Sequence, residues 1–132
     1  MTVTFLQSRH ETNGCLDAFE VTLPPHVGSL VPRFHRDYEE TVLGIDGITT
    51  WTVEGRQIQV CPGEQLVIPP GALHAFINLH EQAARVLCIH TPGIIGPEYF
   101  DELALVMEAD GPTDYAAVGA VMARYGIIPA TF

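Results

Sequence analysis

Two histidines and a glutamate, His35, Glu40 and His74, are the side chains whose types and spacing best suit chemistry. His35 and Glu40 stand five positions apart in RFHRDYEETVLGIDG, and His74 follows in GEQLVIPPGALHAFIN. Imidazole nitrogens and carboxylate oxygens hold first-row divalent metals, so the three can form a site with open coordination positions, as catalytic centres keep. The fold must then bring together residues that lie far apart in the chain. Strands can do this, because alternate side chains share a face and residues on different strands converge inside a barrel. If Glu40 faces inward, Val42 and Gly44 follow it, with Gly44 leaving room above. His74 then shares its face with Phe76 and Asn78, and the ligands sit among apolar walls, the makeup of a small-molecule pocket.

The elements around these residues read as short strands. Residues 2 to 7 and 18 to 23 have the β-branched and aromatic alternation of edge strands, with Asn13-Gly14 in the turn between them. Pro24, Pro25, Gly28 and Pro32 hold an irregular connection to Arg33, and His26 belongs to it as a solvated residue. ETVLGI and ITTWTVEG are divided by Asp46-Gly47, a dipeptide suited to a tight hairpin. RQIQV, QLVIP, HAFIN and ARVLCIHT follow, separated by Glu54-Gly55, Pro62-Gly63, Pro70-Gly71 and the loop 79 to 83. This spacing predicts an all-β sandwich or barrel. After Thr91 the period changes to that of helices. Pro97 suits a first helical turn, with Phe100, Leu103, Ala104 and Met107 forming a stripe. Thr113 is placed to cap a second helix carrying Tyr115, Val118, Met122 and Tyr125, stopped by Gly126.

These residues together resemble the cupin superfamily, and within it small single-domain cupins of the quercetin dioxygenase type. The second cupin motif, G-x5-P-x-G-x2-H-x3-N, is matched by Gly63, Pro69, Gly71, His74 and Asn78. The first, G-x5-H-x-H-x3,4-E-x6-G, is matched at His35, Glu40 and Gly47. It departs at its leading histidine, where this chain has Arg33, and its opening glycine, Gly28, lies one residue too close. The resemblance spans roughly residues 18 to 92. It implies a double-stranded β-helix, the jelly-roll barrel, over about residues 1 to 92 of one domain, with two C-terminal α-helices over about 97 to 126. It also implies His35, Glu40 and His74 as ligands of a divalent transition metal (Fe, Mn, Ni, Zn or Cu), and helical extensions of this kind imply a homodimer.

Arg33 cannot replace the missing ligand, since a guanidinium stays protonated and offers no lone pair. Either solvent completes the site, or Arg33 swings beside Glu40 and forms an ion pair in a metal-free barrel. The leading functional expectation is a dioxygenase-like oxidoreductase acting on an organic small molecule. Glu40 there serves as ligand and possible base, and Arg33 as the fork that binds a substrate carboxylate or enolate oxygen. The alternatives are a metal-free binding or sensing barrel, or a metal-independent isomerase or cyclase using His35 or His74.

His90 shares its face with Val86 and Cys88, and is expected as a packed or loop-end histidine, with a late ligand as the other reading. Cys88 reads as a buried thiol rather than a nucleophile, and Asp37 and Tyr38 as water-facing residues at the strand entrance. Trp51 packs between sheets or at a dimer contact. Pro69, Gly71 and Asn78 shape a turn. Nucleotide cofactors are not suggested, since the chain lacks GxGxxG and phosphate-binding glycine loops, and GxSxG and CxxC are also absent.

The bulk properties narrow the partners. With a formal net charge of -10 and only six Lys and Arg, the chain lacks the basic surface that nucleic acid or anionic membranes require. Its three cysteines, Cys15, Cys61 and Cys88, are widely spaced and read as free thiols. The first residues lack the pattern of a signal peptide, so the expected compartment is the cytoplasm.

Overall fold

The computed structural model describes residues 1–29 and 31–130. The chain runs β1 (Thr2–Gln7), β2 (Asp17–Leu23), β3 (Arg33–His35), β4 (Glu39–Asp46), β5 (Thr49–Val53), β6 (Arg56–Val60), β7 (Gln65–Ile68), β8 (His74–Ile77) and β9 (Ala84–Thr91). Helices α1 (Gly96–Met107) and α2 (Tyr115–Arg124) follow, then β10 (Ile127–Pro129). One antiparallel sheet has the order β1-β2-β9-β4-β7 and the other β10-β3-β8-β5-β6. Facing each other, they form the expected jelly roll. No helix among the described residues is long and apolar enough to cross a membrane.

The period of two written in the sequence is what buries one face of each sheet. In β2, Phe19, Val21 and Leu23 are buried while Ala18, Glu20 and Thr22 are half-exposed; in β9, Ala84, Val86, Cys88 and His90 alternate the same way. Val42, Val60, Ile68 and Trp51 fill the space between, each burial stabilising by about 1.5 to 3 kcal/mol relative to exposure. Trp51 lies between the sheets, its ring centroid 4.8 Å from that of Phe76.

Several local readings change. β2 is not an edge strand: it pairs with β1 on one side and with β9 on the other. β3 and β10, too short for a visible alternation, pair with each other and carry Arg33 and His35 onto the second sheet. α2 is capped by Asp114, whose carboxylate accepts from the Ala117 amide at 3.0 Å, one residue later than the Thr113 cap the sequence suggests. Gly44 opens no space over the pocket. A Cβ there would meet the Cys61 carbonyl oxygen at 2.2 Å, so glycine is required for the 61–64 turn to close against β4.

The helices are tied to the barrel by Asp17, which is fully buried. Its Oδ1 accepts from the Arg9 amide at 2.7 Å, and its Oδ2 accepts from the amides of Ile95 and Gly96 at 3.1 Å each. The side chain thus takes up donors that the first turn of α1 leaves unsatisfied and that its own N-cap, Ile95, cannot serve. α1 and α2 are then joined by Arg124 to Glu102 at 2.6 Å and by the Tyr125 hydroxyl to the same carboxylate. Asp17→Ala should orphan three amides, two of them buried, and destabilise the fold by about 3 kcal/mol, lowering Tm by roughly 10 °C in a calorimetric scan. A Tm within about 2 °C of the parent would contradict this role for Asp17.

Candidate metal centre

Three imidazoles surround one buried carboxylate. In β4, Glu40 lies directly opposite His90 of β9, and their side chains meet with His90 Nε2 3.3 Å from Glu40 Oε1. His35 Nδ1, at the end of β3, lies 3.6 Å from the same oxygen, and His74 Nε2, at the start of β8, 4.0 Å from it. All four residues are buried. Donor atoms held about 2.1 Å from a common ion stand roughly 3 to 4 Å apart, the separation seen here.

The local structure explains why the rings point where they do. The turn at Pro70-Gly71 has Gly71 at φ +84°, a conformation that favours glycine, and its amide donates to the His35 carbonyl at 2.8 Å, binding the two motifs to each other. Asn78 is fully buried: its amide nitrogen donates to the carbonyls of Leu23 and Gln82, at 3.1 and 2.7 Å, and its Oδ1 accepts from the His80 amide. Pro69, Gly71 and Asn78 therefore shape the backbone rather than meet a ligand. His74 donates from Nδ1 to the Ala72 carbonyl at 2.9 Å, which leaves the lone pair on Nε2. Tyr38 is buried, stacked on His35 with ring centroids 4.6 Å apart, and its hydroxyl donates to the Tyr125 carbonyl at 3.2 Å. It is a wall of the site, not the water-facing residue its position suggested; Asp37 is exposed and paired with Arg36.

Electrostatics favour the state a cation would need. Burial drives the His35 pKa down to about 2, against the opposing pull of Glu40, so its ring is neutral. Burial lowers that of His74 as well. Burial alone would raise the Glu40 pKa, but His90 beside it outweighs that and holds the carboxyl below the ordinary range, ionised. Burial, with the Glu40 carboxylate nearby, pushes the Cys88 thiol well above its usual value, so it is an inert wall.

Whether this donor set fits a metal is tested by its unpartnered atoms. His35 Nδ1 and His74 Nε2, the ring nitrogens that face Glu40, are buried with no hydrogen-bond partner, a cost that native interiors rarely bear without a ligand; in His90 it is Nδ1 that is unpartnered, while Nε2 faces the carboxylate. Neutral imidazoles and a carboxylate match the preference of first-row divalent ions, so the residues fit. The tightest group among the described residues is His35, Glu40 and His90, with donors within 4.8 Å of one another. His74 stands slightly farther out. His90 therefore belongs to the cluster rather than to a loop end, and its register opposite Glu40 is the signal that the sequence motifs do not carry. Arg33 makes no ion pair with Glu40; its guanidinium carbon instead lies 5.1 Å from the Phe76 ring centroid.

Residues 19–90 match the cupin domain family, Cupin_2. The chain belongs to the cupin family. Among solved structures, this cupin resembles KdgF from Halomonas sp., with 19% identity and a TM-score of 0.61, covering 68% of this chain and 76% of that one. It also resembles the Cupin_2 domain of an XRE family transcriptional regulator from Enterobacter cloacae, at 20% identity and TM-score 0.61, covering 68% and 94%. A third is the cupin-superfamily sugar phosphate isomerase from Silicibacter pomeroyi, at 20% identity and TM-score 0.59, covering 70% and 60%. Identities this low carry the fold and leave the reaction open. No curated protein matches the sequence.

The cluster gives the metal-free cupin a defined response to acid. The His35 pKa is lowered from 6.5 to about 2, and that of Glu40 is lowered from 4.5, so the unfolded chain binds more protons than the folded one below those ordinary values. The stabilisation is fully present above about pH 6.5 and is lost as the pH falls, by up to about 1.4 kcal/mol per unit for each group. After chelation, Tm should drop between about pH 7.5 and about pH 5.5, and His35→Gln should flatten that slope. A Tm that holds or rises on acidification in the parent would contradict the assignment of a neutral His35.

Proposed function

We propose that this cupin is a metal-dependent oxidoreductase of the dioxygenase type acting on a small organic molecule, with His35, Glu40, His74 and His90 holding the ion. The observation that carries the reading is the convergence of three imidazoles and an ionised carboxylate beside an apolar cavity of about 290 Å³, lined by Phe19, Trp51, Phe76, Tyr99 and Phe100 among others. That volume is at the lower end of small-molecule pockets.

A divalent transition metal bound there would supply a Lewis-acidic, electron-transferring centre. The chain's own residues prepare the place. Glu40 contributes the one negative charge and, if released, a base beside the substrate. The Ala72 carbonyl fixes the His74 tautomer, and Tyr38 packs the His35 ring in place. Phe19 meets His90 edge-on at 5.1 Å and keeps water from that side. A metal-free binding barrel rests on an Arg33–Glu40 pair, and Arg33 instead lies over Phe76, which favours the metal-dependent reading.

Protein purified without chelators, or reloaded with Fe(II), should carry about one divalent ion per chain by elemental analysis, and His90→Ala and His74→Ala should each weaken uptake at least about tenfold. Absence of bound metal after reloading would end the proposal. Oxygen uptake by the loaded protein, measured at an electrode with a panel of small organic acids, tests the reaction class; metal uptake without oxygen consumption would remove the oxidoreductase assignment.

A further inference from the structure

Arg33 is a cation in an apolar cavity with no anion beside it. It lies on β3, opposite His74 in the register of the second sheet, and its side chain lines the cavity. Its Nε is buried without a hydrogen-bond partner. Among the described residues no carboxylate lies within 4.0 Å of the guanidinium, whose carbon lies over the Phe76 ring, 5.1 Å from its centroid. Glu40, the other charged residue of the lining, is already surrounded by the imidazoles. Arg33 is half-buried, and a guanidinium so placed gains most from a planar, two-oxygen anion that its fork can hold.

The rest of the cavity says what that anion is attached to. Trp51 and Phe76 lie side by side on the barrel wall, and Tyr99, Phe100 and Leu103 of α1 form the opposite side. Tyr99 adds a hydroxyl to the lining, whose pKa burial raises against the opposing charge of Arg33. The nearby Ser29 hydroxyl is engaged by the Phe76 backbone, donating to its carbonyl at 3.3 Å and accepting from its amide at 3.1 Å. A polyhydroxylated ligand would find few partners in these walls, whereas a ring would find faces to pack on.

We infer that the cavity selects a small monocarboxylate with an aromatic body, its carboxylate in the fork of Arg33 and its ring against Phe76 and Trp51. The inference deepens the reading of this cavity as the substrate site, but it places the recognition on Arg33 and so can be tested with or without metal. It also gives the departure from the family's first motif a purpose. The arginine takes a position that otherwise holds a ligand and turns it into the specificity element, while His90 provides the imidazole from another strand.

Phenylacetate is a suitable probe, titrated calorimetrically into the full chain after chelation and again after metal loading. Phenylacetate should bind in both forms, while acetate, which lacks the ring, and phenylacetamide, which lacks the charge, should bind at least about tenfold more weakly. Arg33→Met should weaken phenylacetate at least about tenfold while keeping the parent's circular dichroism and its metal uptake. The inference is overturned if phenylacetamide matches phenylacetate in the parent protein, if folded Arg33→Met binds phenylacetate as the parent does, or if neither phenylacetate nor 3-phenylpropanoate binds either form. The comparison of acid with amide needs no variant, so it stands even if Arg33→Met fails to fold. Arg33-dependent binding of phenylacetate in a chain that takes up no metal would support this inference and sink the oxidoreductase reading, which keeps the two failures distinct.

Discussion

A carboxylate buried at the centre of the barrel is the constraint on which the rest depends. Glu40 has left water, and an ion there must be compensated by groups that reach it at bonding distance. Three imidazoles stand around it at 3.3 to 4.0 Å, from β3, β8 and β9, each held by a different piece of backbone. Two are neutral by burial, which leaves their lone pairs free and the carboxylate charge incompletely answered. Such an arrangement suits a cation, and the unpartnered nitrogens of His35 and His74 that face the carboxylate are consistent with one.

The same arrangement dictates what must surround it. A buried polar cluster is tolerated only where its neighbours hold it rigidly, because partial satisfaction is worse than none. The Gly71 amide on the His35 carbonyl joins the two motif turns, Asn78 fastens the start of the loop that leads into β9, and Tyr38 links the His35 ring to the end of α2. Asp17 performs the corresponding task at the start of α1, so the helices become one wall of the cavity instead of an appendage. Through these links, residues with no contact to a ligand set the positions of those that have one.

Much of this could be read from the chain. The two sheets follow from alternation, and the complete second motif, Gly63 to Asn78, marked both the fold and one imidazole. The helical stripes announced α1 and α2, though Ala104 and Met107 of the first stripe and Tyr115 of the second are exposed. What escaped has a common cause: it depends on pairing between segments distant in sequence. His90 carries no motif of its own and gains meaning only from standing opposite Glu40. β3 and β10 are three residues each, too short for a period to register. Asp17 looks like the polar edge of a strand until the amides of Ile95 and Gly96 arrive from the far end of the chain. Tyr38 reads as a water-facing residue because its burial against the end of α2 leaves no mark on its neighbours in the sequence.

The central claim is that imidazoles from three strands share one ion with Glu40. X-ray absorption spectroscopy of the nickel-loaded protein addresses it directly, because imidazole rings give an outer-shell scattering pattern that water and carboxylate lack. The account predicts a first shell of nitrogen and oxygen with outer-shell scattering from three rings. A shell of oxygen alone, without the imidazole pattern, would contradict it.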